Sequence, residues 1–325
     1  MSGLVTSGEK RLVLVSGRSH PELAEAIAGE LGIELAETEL RTFANGEIYA
    51  RYGESVRGAD VFVVQSHSDP INEWVMEQLI MVDALKRASA KRITVVAPCY
   101  PYARQDKKGR GREPISARLI ADLYKAAGAD RIMSVDLHAA QIQGFFDGPV
   151  DHLFAMPVLL KHCKERLDPS TLTVVSPDMG RVRVADMWSD QLGVPLAIIH
   201  KRRDPKVANE VTVHDIVGDV EGRVCLLVDD LIDTGGTIVK AAQALKDNGA
   251  TGVIVAATHA VFSDPAAERL DCDYIDEVVV TDTLPIPERK RFENLTVLSI
   301  APMLARAINE VFQDGSVTSM FDGAA

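Results

Sequence analysis

The sequence predicts an α/β fold made of two doubly wound domains, each with a mostly parallel sheet, related by duplication. Short apolar runs rich in β-branched residues alternate with helical patterns, which is typical of parallel sheets covered by helices. Successive strands are separated by roughly thirty residues, the length of a βαβ unit. The pattern also restarts midway, since an apolar run at 171–175 leads into Ser176 as the run at 12–15 leads into Ser16.

The first half contains apolar runs that predict buried strands, with amphipathic helices between them. The predicted strands lie at residues 12–15, 61–64, 93–97 and 131–135, and the predicted helices at 21–31, 71–87 and 117–127. Two further runs at 39–43 and 47–52 flank Ala44-Asn45-Gly46. Asn-Gly between such runs is a strong hairpin signal and predicts a two-residue turn.

The second half repeats this order. Its predicted strands lie at residues 171–175, 196–199, 224–228 and 253–256, and a helix begins after Gly236 and stops at Gly249. A final helix at 302–312 tolerates Pro302 in its first turn and is expected to pack on the first half. We therefore expect a first domain at residues 1–156 and a second at 157–325.

Composition limits the function classes. The chain of 325 residues carries a net charge of −12, which argues against nucleic acid as the main partner. No apolar run approaches a membrane span, and the N-terminus lacks the apolar core of a signal peptide, so a cytoplasmic protein is expected. The four cysteines are scattered without a Cys-x-x-Cys pair, which favours reduced thiols over disulfides or zinc ligands.

The most informative stretch follows the predicted strand at 224–228. It contains three carboxylates and a Thr-Gly-Gly-Thr sequence: Asp229, Asp230, Asp233, Thr234, Gly235, Gly236 and Thr237. Glycines at a helix start let backbone N–H groups approach a phosphate, and the hydroxyls add donors. Carboxylates instead accept hydrogen bonds from vicinal hydroxyls. A phosphate at one end and a diol at the other describe a ribose 5-phosphate moiety, which we favour over a simple acidic turn with a glycine cap.

These residues resemble the phosphoribosyl-diphosphate-binding loop shared by phosphoribosyltransferases and ribose-phosphate diphosphokinases. A nucleotide-binding loop of the Walker type is excluded, because the chain has no Gly-Lys-Ser/Thr. Because the loop occurs in both families, only the rest of the chain can distinguish between them.

Cations follow two other predicted strand ends. Residues 104–108, Arg-Gln-Asp-Lys-Lys, come after the strand at 93–97 and suit a polyphosphate, although a solvated charged loop is an even alternative. Residues 201–206 hold four cations after the strand at 196–199. They suggest a lid that closes on transferring phosphates, and the alternative is a solubilising turn.

Two further strand ends carry candidate metal ligands. Strand alternation would turn Leu137 away and direct Asp136 and His138 to one side, and Asp178 follows the strand at 171–175. Mg²⁺ takes few protein ligands beside water and phosphate oxygens, which suits such a sparse set. Because histidine is an unusual Mg²⁺ ligand, a hydrogen bond from His138 to a phosphate or a structural role is the alternative.

Taken together, these segments resemble ribose-phosphate diphosphokinases of the bacterial class I type over nearly the whole chain. The matching segments occur in the family's order at residues 43–47, 102–106, 136–146, 176–178, 201–203 and 229–237. Phosphoribosyltransferases resemble only the second half. The resemblance implies two phosphoribosyltransferase-type domains, with ATP bound by the first and ribose 5-phosphate by the second.

The resemblance also assigns roles by position. It implies catalytic roles for Lys201 and Arg203, and ATP binding by Phe43, Asn45, Gly46, Glu47, Arg104 and Gln105. It implies ribose 5-phosphate binding by Arg203, Asp229, Asp230, Asp233, Thr234, Gly235, Gly236 and Thr237. It implies Mg²⁺ binding by His138 and Asp178 with Asp136 nearby, and an allosteric oxyanion site at Ser316, Thr318 and Ser319, for which a frayed tail is an equal alternative. The chain departs from the family after Arg203, where Asp204-Pro-Lys stands in a slightly longer loop.

The implied reaction transfers the diphosphoryl group of Mg-ATP to the anomeric hydroxyl of ribose 5-phosphate, giving 5-phosphoribosyl 1-diphosphate and AMP. The resemblance further implies a homo-oligomer, expected to be a hexamer, in which the hairpin tip completes an adjacent subunit's ATP pocket, with phosphate and ADP as effectors. One alternative is a phosphoribosyltransferase, which would not need the cations at 104–108. The other is an inactive regulatory homologue, which would have lost Lys201, Arg203 or the sugar loop.

Overall fold

A computed structural model describes residues 10–200 and 215–321. The strands within these ranges are β1 (Leu12–Ser16), β2 (Thr38–Thr42), β3 (Ile48–Tyr52), β4 (Asp60–Val64), β5 (Arg92–Val96), β6 (Arg131–Val135), β7 (Val150–Leu153), β8 (Leu172–Ser176), β9 (Leu196–His200), β10 (Asp215–Val217), β11 (Val224–Ile232), β12 (Gly252–Ala260), β13 (Glu277–Thr281) and β14 (Leu295–Leu298). The α-helices are α1 (Pro21–Leu31), α2 (Ile71–Arg87), α3 (Ser116–Ala127), α4 (Met156–Arg166), α5 (Val182–Leu192), α6 (Gly236–Asp247), α7 (Ala266–Leu270) and α8 (Ala301–Phe312). No helix within the described ranges is both long and apolar enough to cross a membrane.

The chain divides into two compact units. The first contains the described residues up to Leu153 and those from Ala301 onward, and the second runs from Phe154 to Ile300. The expected division lay at 156/157. Helix α8 belongs to the first unit, where its buried face, which includes Leu304 and Ile308, packs against α1.

The first unit is built on a five-stranded parallel sheet in the order β1-β4-β5-β6-β7. Strand β4 is buried over all five residues, which explains the unbroken apolar run at 61–64 after Asp60. Helices α2 and α3 cover the sheet through buried side chains such as Leu85 and Tyr124. The separate β2-β3 hairpin is antiparallel.

The second unit is built on a seven-stranded sheet in the order β10-β9-β8-β11-β12-β13-β14. All neighbouring pairs are parallel except β10 with β9. Helix α6 buries Ile238, Ala242 and Leu245 against this sheet, so the apolar spacing seen in the sequence is its packing face.

The two sheets share strand order and register. Strands β1, β4, β5, β6 and β7 correspond in order to β8, β11, β12, β13 and β14. The paired residues also correspond: Leu12↔Asp60 with Leu172↔Val224, Asp60↔Arg92 with Val224↔Gly252, Thr94↔Arg131 with Ile254↔Glu277, and Ile132↔Val150 with Val278↔Leu295. The predicted class of two doubly wound, mostly parallel domains is confirmed, and the shared register supports their duplication.

One local prediction was wrong. The hairpin between β2 and β3 has a three-residue loop, because Phe43 pairs with Glu47 across Ala44, Asn45 and Gly46. The Gly46 N–H donates to the Phe43 carbonyl at 2.9 Å, and Gly46 has φ 89°. A turn closed by a left-handed glycine is the usual form of three-residue hairpin loops.

Candidate active site

Two of the three carboxylates of the sugar loop (residues 229–237), Asp229 and Asp230, lie on a strand, where the sequence suggested a loop, and Asp233 follows the end of that strand. Strand β11 continues through Asp229 and Asp230 to Ile232, because β12 is also nine residues long and pairs with it as far as Ile232↔Ala260. On the other side, pairing with β8 stops at Leu227↔Val175. Asp229 and Asp230 therefore lie on the part of β11 where only one edge is paired, at the carboxyl end of the sheet.

A tight turn then starts α6. Gly235 has φ 72° and is buried, and a Cβ there would lie 3.3 Å from Leu270 Cγ. A left-handed residue in such a space has to be glycine. Thr234 and Thr237 are exposed on either side of the two glycines. The amide groups at the start of this twelve-residue helix and these hydroxyls form a suitable anion-binding end.

The carboxylate end has its own cation. Arg181 Nε lies 3.2 Å from Asp229 Oδ1, and Arg181 Nη2 lies 2.6 Å from Asp230 Oδ1. The Asp230 N–H also donates to Asp229 Oδ1 at 2.8 Å. Burial raises the pKa of Asp229, and the side chain and charge of Asp230 act in the same direction, whereas the charge of Arg181 and the backbone N–H of Asp230 oppose them. The sequence placed Arg181 beside Asp178 but did not assign it to the sugar site.

Asp178 lies in the turn between β8 and α5. Its Oδ1 accepts the Gly180 N–H at 2.8 Å, and its carbonyl accepts the Ser176 hydroxyl at 2.7 Å. These bonds fix the start of the turn that presents Asp178 and Arg181. In this second unit the structure therefore brings together the predicted sugar residues, and it adds Arg181 to them.

The hairpin tip of the first unit exposes Phe43. Its ring is 42% exposed and meets the Tyr49 ring edge-on with centroids 5.9 Å apart. The Arg41 guanidinium lies 5.1 Å from the Phe43 centroid, and the Glu47 N–H donates to Asn45 Oδ1 at 3.2 Å. The predicted adenine-binding residues thus share one ordered tip with a partly exposed aromatic face.

The predicted ATP loop follows β5. Gln105 accepts a hydrogen bond from the Ser116 hydroxyl at 2.6 Å, while Arg104 is exposed. Asp106 is buried and accepts a hydrogen bond from Gln141, which lies beyond β6. This bond connects the loop after β5 to the segment after β6, so Asp106 organises the loop that presents Arg104 and Gln105. Sequence spacing had not indicated that role.

The Asp136-Leu137-His138 segment is not a continuation of β6, which ends at Val135. Asp136 has φ 39°, a left-handed conformation that is unusual for a residue other than glycine. Leu137 is buried in the core of the first unit, while Asp136 and His138 are half-buried. A strained turn therefore separates Leu137 from the other two residues, as strand alternation was expected to do. His138 and Asp178 lie in different units.

The remaining predicted site residues are placed as follows. Lys201 and Arg203 lie outside the described residues. Ser316, Thr318 and Ser319 lie at or in a short 3₁₀ helix, Val317–Phe321, in which the Ser319 hydroxyl donates to the Ser316 carbonyl at 2.7 Å. Phe321 is buried, so this segment is packed against its own unit at that residue.

Comparisons with known proteins agree with the two-part organisation. Residues 12–128 match the model of the N-terminal domain of ribose phosphate pyrophosphokinase, and residues 205–322 match that of the phosphoribosyl synthetase-associated domain. The ribose-phosphate pyrophosphokinase of Streptomyces avermitilis is 66% identical over 322 residues, covering 99% of each chain. That of Corynebacterium glutamicum is 61% identical over 318 residues, covering 98% of each chain.

A solved structure is similar over the same extent. The crystal structure of phosphoribosylpyrophosphate synthetase from Mycobacterium smegmatis superposes with a TM-score of 0.90 at 60% identity, and covers 94% of this chain and 100% of that chain. The family matches, the identity over nearly the full length and this superposition lead to one conclusion: the chain belongs to the ribose-phosphate pyrophosphokinase family.

Proposed function

We propose that the protein transfers the diphosphoryl group of ATP to ribose 5-phosphate. The anomeric hydroxyl attacks the β-phosphorus of ATP and the bond to the α-phosphate oxygen breaks, so the products are 5-phosphoribosyl 1-diphosphate and AMP. The observation that carries the proposal is the end of β11. There, Asp229 and Asp230 lie where one edge of the strand is unpaired, and a turn with two glycines leads into helix α6.

The two ends of that segment suit the two ends of the sugar phosphate. Asp229 and Asp230 accept hydrogen bonds from the ribose hydroxyls, and the N–H groups and threonine hydroxyls of 234–237 hold the 5-phosphate. Binding at both ends fixes the direction of the sugar and hence of its anomeric hydroxyl. Such positioning removes much of the entropic barrier of a reaction between two substrates.

ATP is assigned to the hairpin tip and to the loop after β5. Phe43 offers an aromatic face to adenine, with Asn45, Gly46 and Glu47 beside it, and Arg104 and Gln105 meet the phosphates. Lys201 and Arg203 neutralise the charge that develops on the transferring group and the leaving oxygen, and Arg203 also contacts the sugar phosphate. No covalent enzyme intermediate is needed.

We assign Mg²⁺ to His138 and Asp178, with Asp136 nearby. The donor chemistry fits, because Asp178 supplies a hard carboxylate oxygen. Mg²⁺ takes few protein ligands beside water and phosphate oxygens, so a single carboxylate can contribute to its site. When bound, the ion neutralises phosphate charge.

The assembly and its control complete the proposal. We infer a cytoplasmic homohexamer in which Phe43 and its neighbours complete the ATP pocket of an adjacent subunit, since a half-exposed aromatic tip is costly to leave in water. We assign a phosphate-binding and ADP-binding role to the segment with Ser316, Thr318 and Ser319. Replacing these three residues with alanine should abolish phosphate activation and ADP inhibition, and unchanged responses would remove the segment from the proposal.

The activity is tested by product analysis. Purified protein with Mg-ATP and ribose 5-phosphate should form AMP in amounts equal to the acid-labile sugar diphosphate. A Lys201→Ala variant should lose AMP formation by orders of magnitude in kcat while its KM values change little, because its cation acts on the transition state. ADP as the sole nucleotide product of the wild type, or no turnover, would contradict the proposal.

A further inference from the structure

Arg181 bridges the two carboxylates of the sugar site. Its guanidinium reaches Oδ1 of Asp229 through Nε at 3.2 Å and Oδ1 of Asp230 through Nη2 at 2.6 Å. The three side chains are only 18%, 18% and 9% exposed. Ion pairs between such poorly hydrated groups are stronger and more sharply directed than pairs on an open surface.

The position of Arg181 is fixed by the fold. It immediately precedes α5, and its carbonyl accepts the Ala185 N–H at 3.0 Å. Helix α5 is anchored by the buried side chains of Ala185 and Trp188. Because the backbone of Arg181 is fixed at the start of α5, its planar guanidinium has a defined direction toward the two carboxylates.

The two carboxylates need such a partner. They are adjacent in sequence and share the same hydrogen-bonded cluster, since the Asp230 N–H donates to Asp229 Oδ1. Two like charges on adjacent residues repel each other, which favours rotation apart or proton uptake by one of them, and the charge of Arg181 opposes both. A sugar diol, in contrast, needs both groups as acceptors in fixed positions.

We propose that Arg181 is a positioning residue for the binding of ribose 5-phosphate. Arg181 holds Asp229 and Asp230 in the orientation in which they accept hydrogen bonds from the sugar hydroxyls. The inference rests on the proposed function and adds a residue to its sugar site. In this account Arg181 does not contact the reacting atoms. Its loss therefore affects sugar binding selectively and leaves the ATP residues of the first unit as they are.

Three variants test this assignment. Arg181→Gln removes the charge and the forked N–H donors of the guanidinium, and Arg181→Lys keeps the charge without the forked donors. Arg291→Gln is the control, because it removes an arginine from an exposed ion pair in the same unit. Steady-state KM for ribose 5-phosphate, KM for ATP and kcat are measured for each at saturating second substrate, together with the unfolding temperature.

We expect Arg181→Gln to raise KM for ribose 5-phosphate about tenfold or more, which corresponds to roughly 1.4 kcal/mol of lost binding. KM for ATP should stay within about twofold, Arg181→Lys should lie between Arg181→Gln and wild type, and Arg291→Gln should match wild type. Equal increases in both KM values, or an unchanged sugar KM in a folded Arg181→Gln, would overturn the inference.

The controls separate the possible failures. If Arg181→Gln does not fold, Arg181→Lys decides, and a lysine variant with wild-type sugar KM and normal stability contradicts the role of the forked donors. If wild-type protein forms no AMP, the proposed function itself is wrong. If wild-type protein is active and the sugar KM of the folded variants is unchanged, only the assignment of Arg181 is wrong.

Discussion

The two units share one sheet topology but differ at the end of the strand that leads to the sugar site. Gln65 follows β4 as Asp229 follows β11, since Val64 and Val228 occupy equivalent positions in the matching registers. In the second unit this position begins the stretch of β11 that is unpaired on one edge, and its carboxylates pair with Arg181. In the first unit it is closed by side chains of the protein itself.

Gln65 fills the space that a ligand would need in the first unit. It is 1% exposed, its Nε2 donates to Glu77 Oε1 at 2.8 Å, and its Oε1 accepts from the Ser19 hydroxyl at 2.9 Å. A Cβ on Gly17 would lie 2.3 Å from Gln65 Oε1. The glycine is thus required by a close side chain, whereas Gly235 at the sugar site is required by its positive φ and by the approach of α7.

An arginine pairs with a carboxylate in both units, with different consequences. Glu77 is fully buried and accepts hydrogen bonds from the Arg18 backbone N–H at 2.8 Å and from Arg18 Nε at 2.5 Å. Arg18 also donates to the hydroxyl of Thr42, which ends β2 next to the hairpin loop. The comparison teaches that one backbone framework supports either a closed structural network or an open ligand site, depending on whether the strand ends in an amide that fills the space or in carboxylates that leave it.

The largest expected effect compares the equivalent positions directly. Asp229→Ala should lower kcat/KM for ribose 5-phosphate by at least about 100-fold, because hydrogen bonds to a charged acceptor contribute about 1.5–3 kcal/mol each. Gln65→Ala should leave that ratio within a few-fold and lower the unfolding temperature instead. Steady-state kinetics and thermal unfolding of both variants check this, and a similar loss of sugar specificity in both would remove the distinction between the units.

The closed network should be stabilising as a unit. Glu77→Ala removes the shared acceptor of Arg18 and Gln65 and should destabilise the first unit by about 2–3 kcal/mol, somewhat below the effect of breaking a fully buried pair, because the Arg18 side chain is 30% exposed and can be hydrated. Chemical denaturation measures the change. An exposed pair, Asp83 with Arg87, supplies the control, since Asp83→Ala should cost well under about 1 kcal/mol.

The space between Gly17 and Gln65 can be tested by compensation. Gly17→Ala should cost about 1–2 kcal/mol through overpacking against Gln65. Combining it with Gln65→Ala should give a smaller loss than the sum of the two single variants, because the clash is then absent. Additive losses in denaturation experiments would show that Gln65 does not occupy this space.

A smaller effect is a pH dependence in the first unit. His67 is buried, with Nδ1 3.3 Å from the Cys99 carbonyl and Nε2 3.2 Å from the Tyr124 hydroxyl. Burial lowers the pKa of His67 to about 4, although the hydrogen bonds with Cys99 and Gln78 oppose this. The unfolded chain, with the ordinary pKa of about 6.5, therefore binds more protons between about pH 4 and 6.5, and stability falls as the pH falls through that range.

His67→Gln should reduce this acid sensitivity. Between about pH 7 and pH 5 the unfolding temperature of wild type should fall by a few degrees more than that of the variant. Differential scanning calorimetry at both pH values measures the difference. Parallel pH curves for the two proteins would mean that His67 takes up its proton at the same pH in the folded and unfolded states.

The sequence predicted the fold, and it allowed the sugar residues to be proposed, because both depend on local patterns. Buried strands such as β4 contain apolar runs, here at 61–64, and a phosphate-binding turn needs glycines next to a helix start. The extension of β11 through Asp229 and Asp230 could not be read in the same way. Aspartate is unfavourable in strands, and only the equally long β12 beside it keeps this segment extended.

Contacts between residues that are distant in the sequence could not be predicted either. Arg181 and Asp178 are neighbours in the sequence, yet the ion pairs of Arg181 are with Asp229 and Asp230 on a different strand. In the sequence, Asp106 is likewise one of several charged residues in a loop, and only the structure shows its hydrogen bond with Gln141. Short strands such as β7, with the mixed sequence Val-Asp-His-Leu, gave no apolar run and were missed.

We propose that the second unit binds the sugar phosphate, while Gln65 occupies the equivalent position in the first unit. A crystal structure of the protein with ribose 5-phosphate is the decisive measurement. We expect the sugar hydroxyls at Asp229 and Asp230, the 5-phosphate on the backbone N–H groups of 235–237, and the Gln65–Glu77 hydrogen bond intact. A sugar phosphate bound at Gln65 in the first unit, or bound in the second unit away from Asp229 and Asp230, would contradict it.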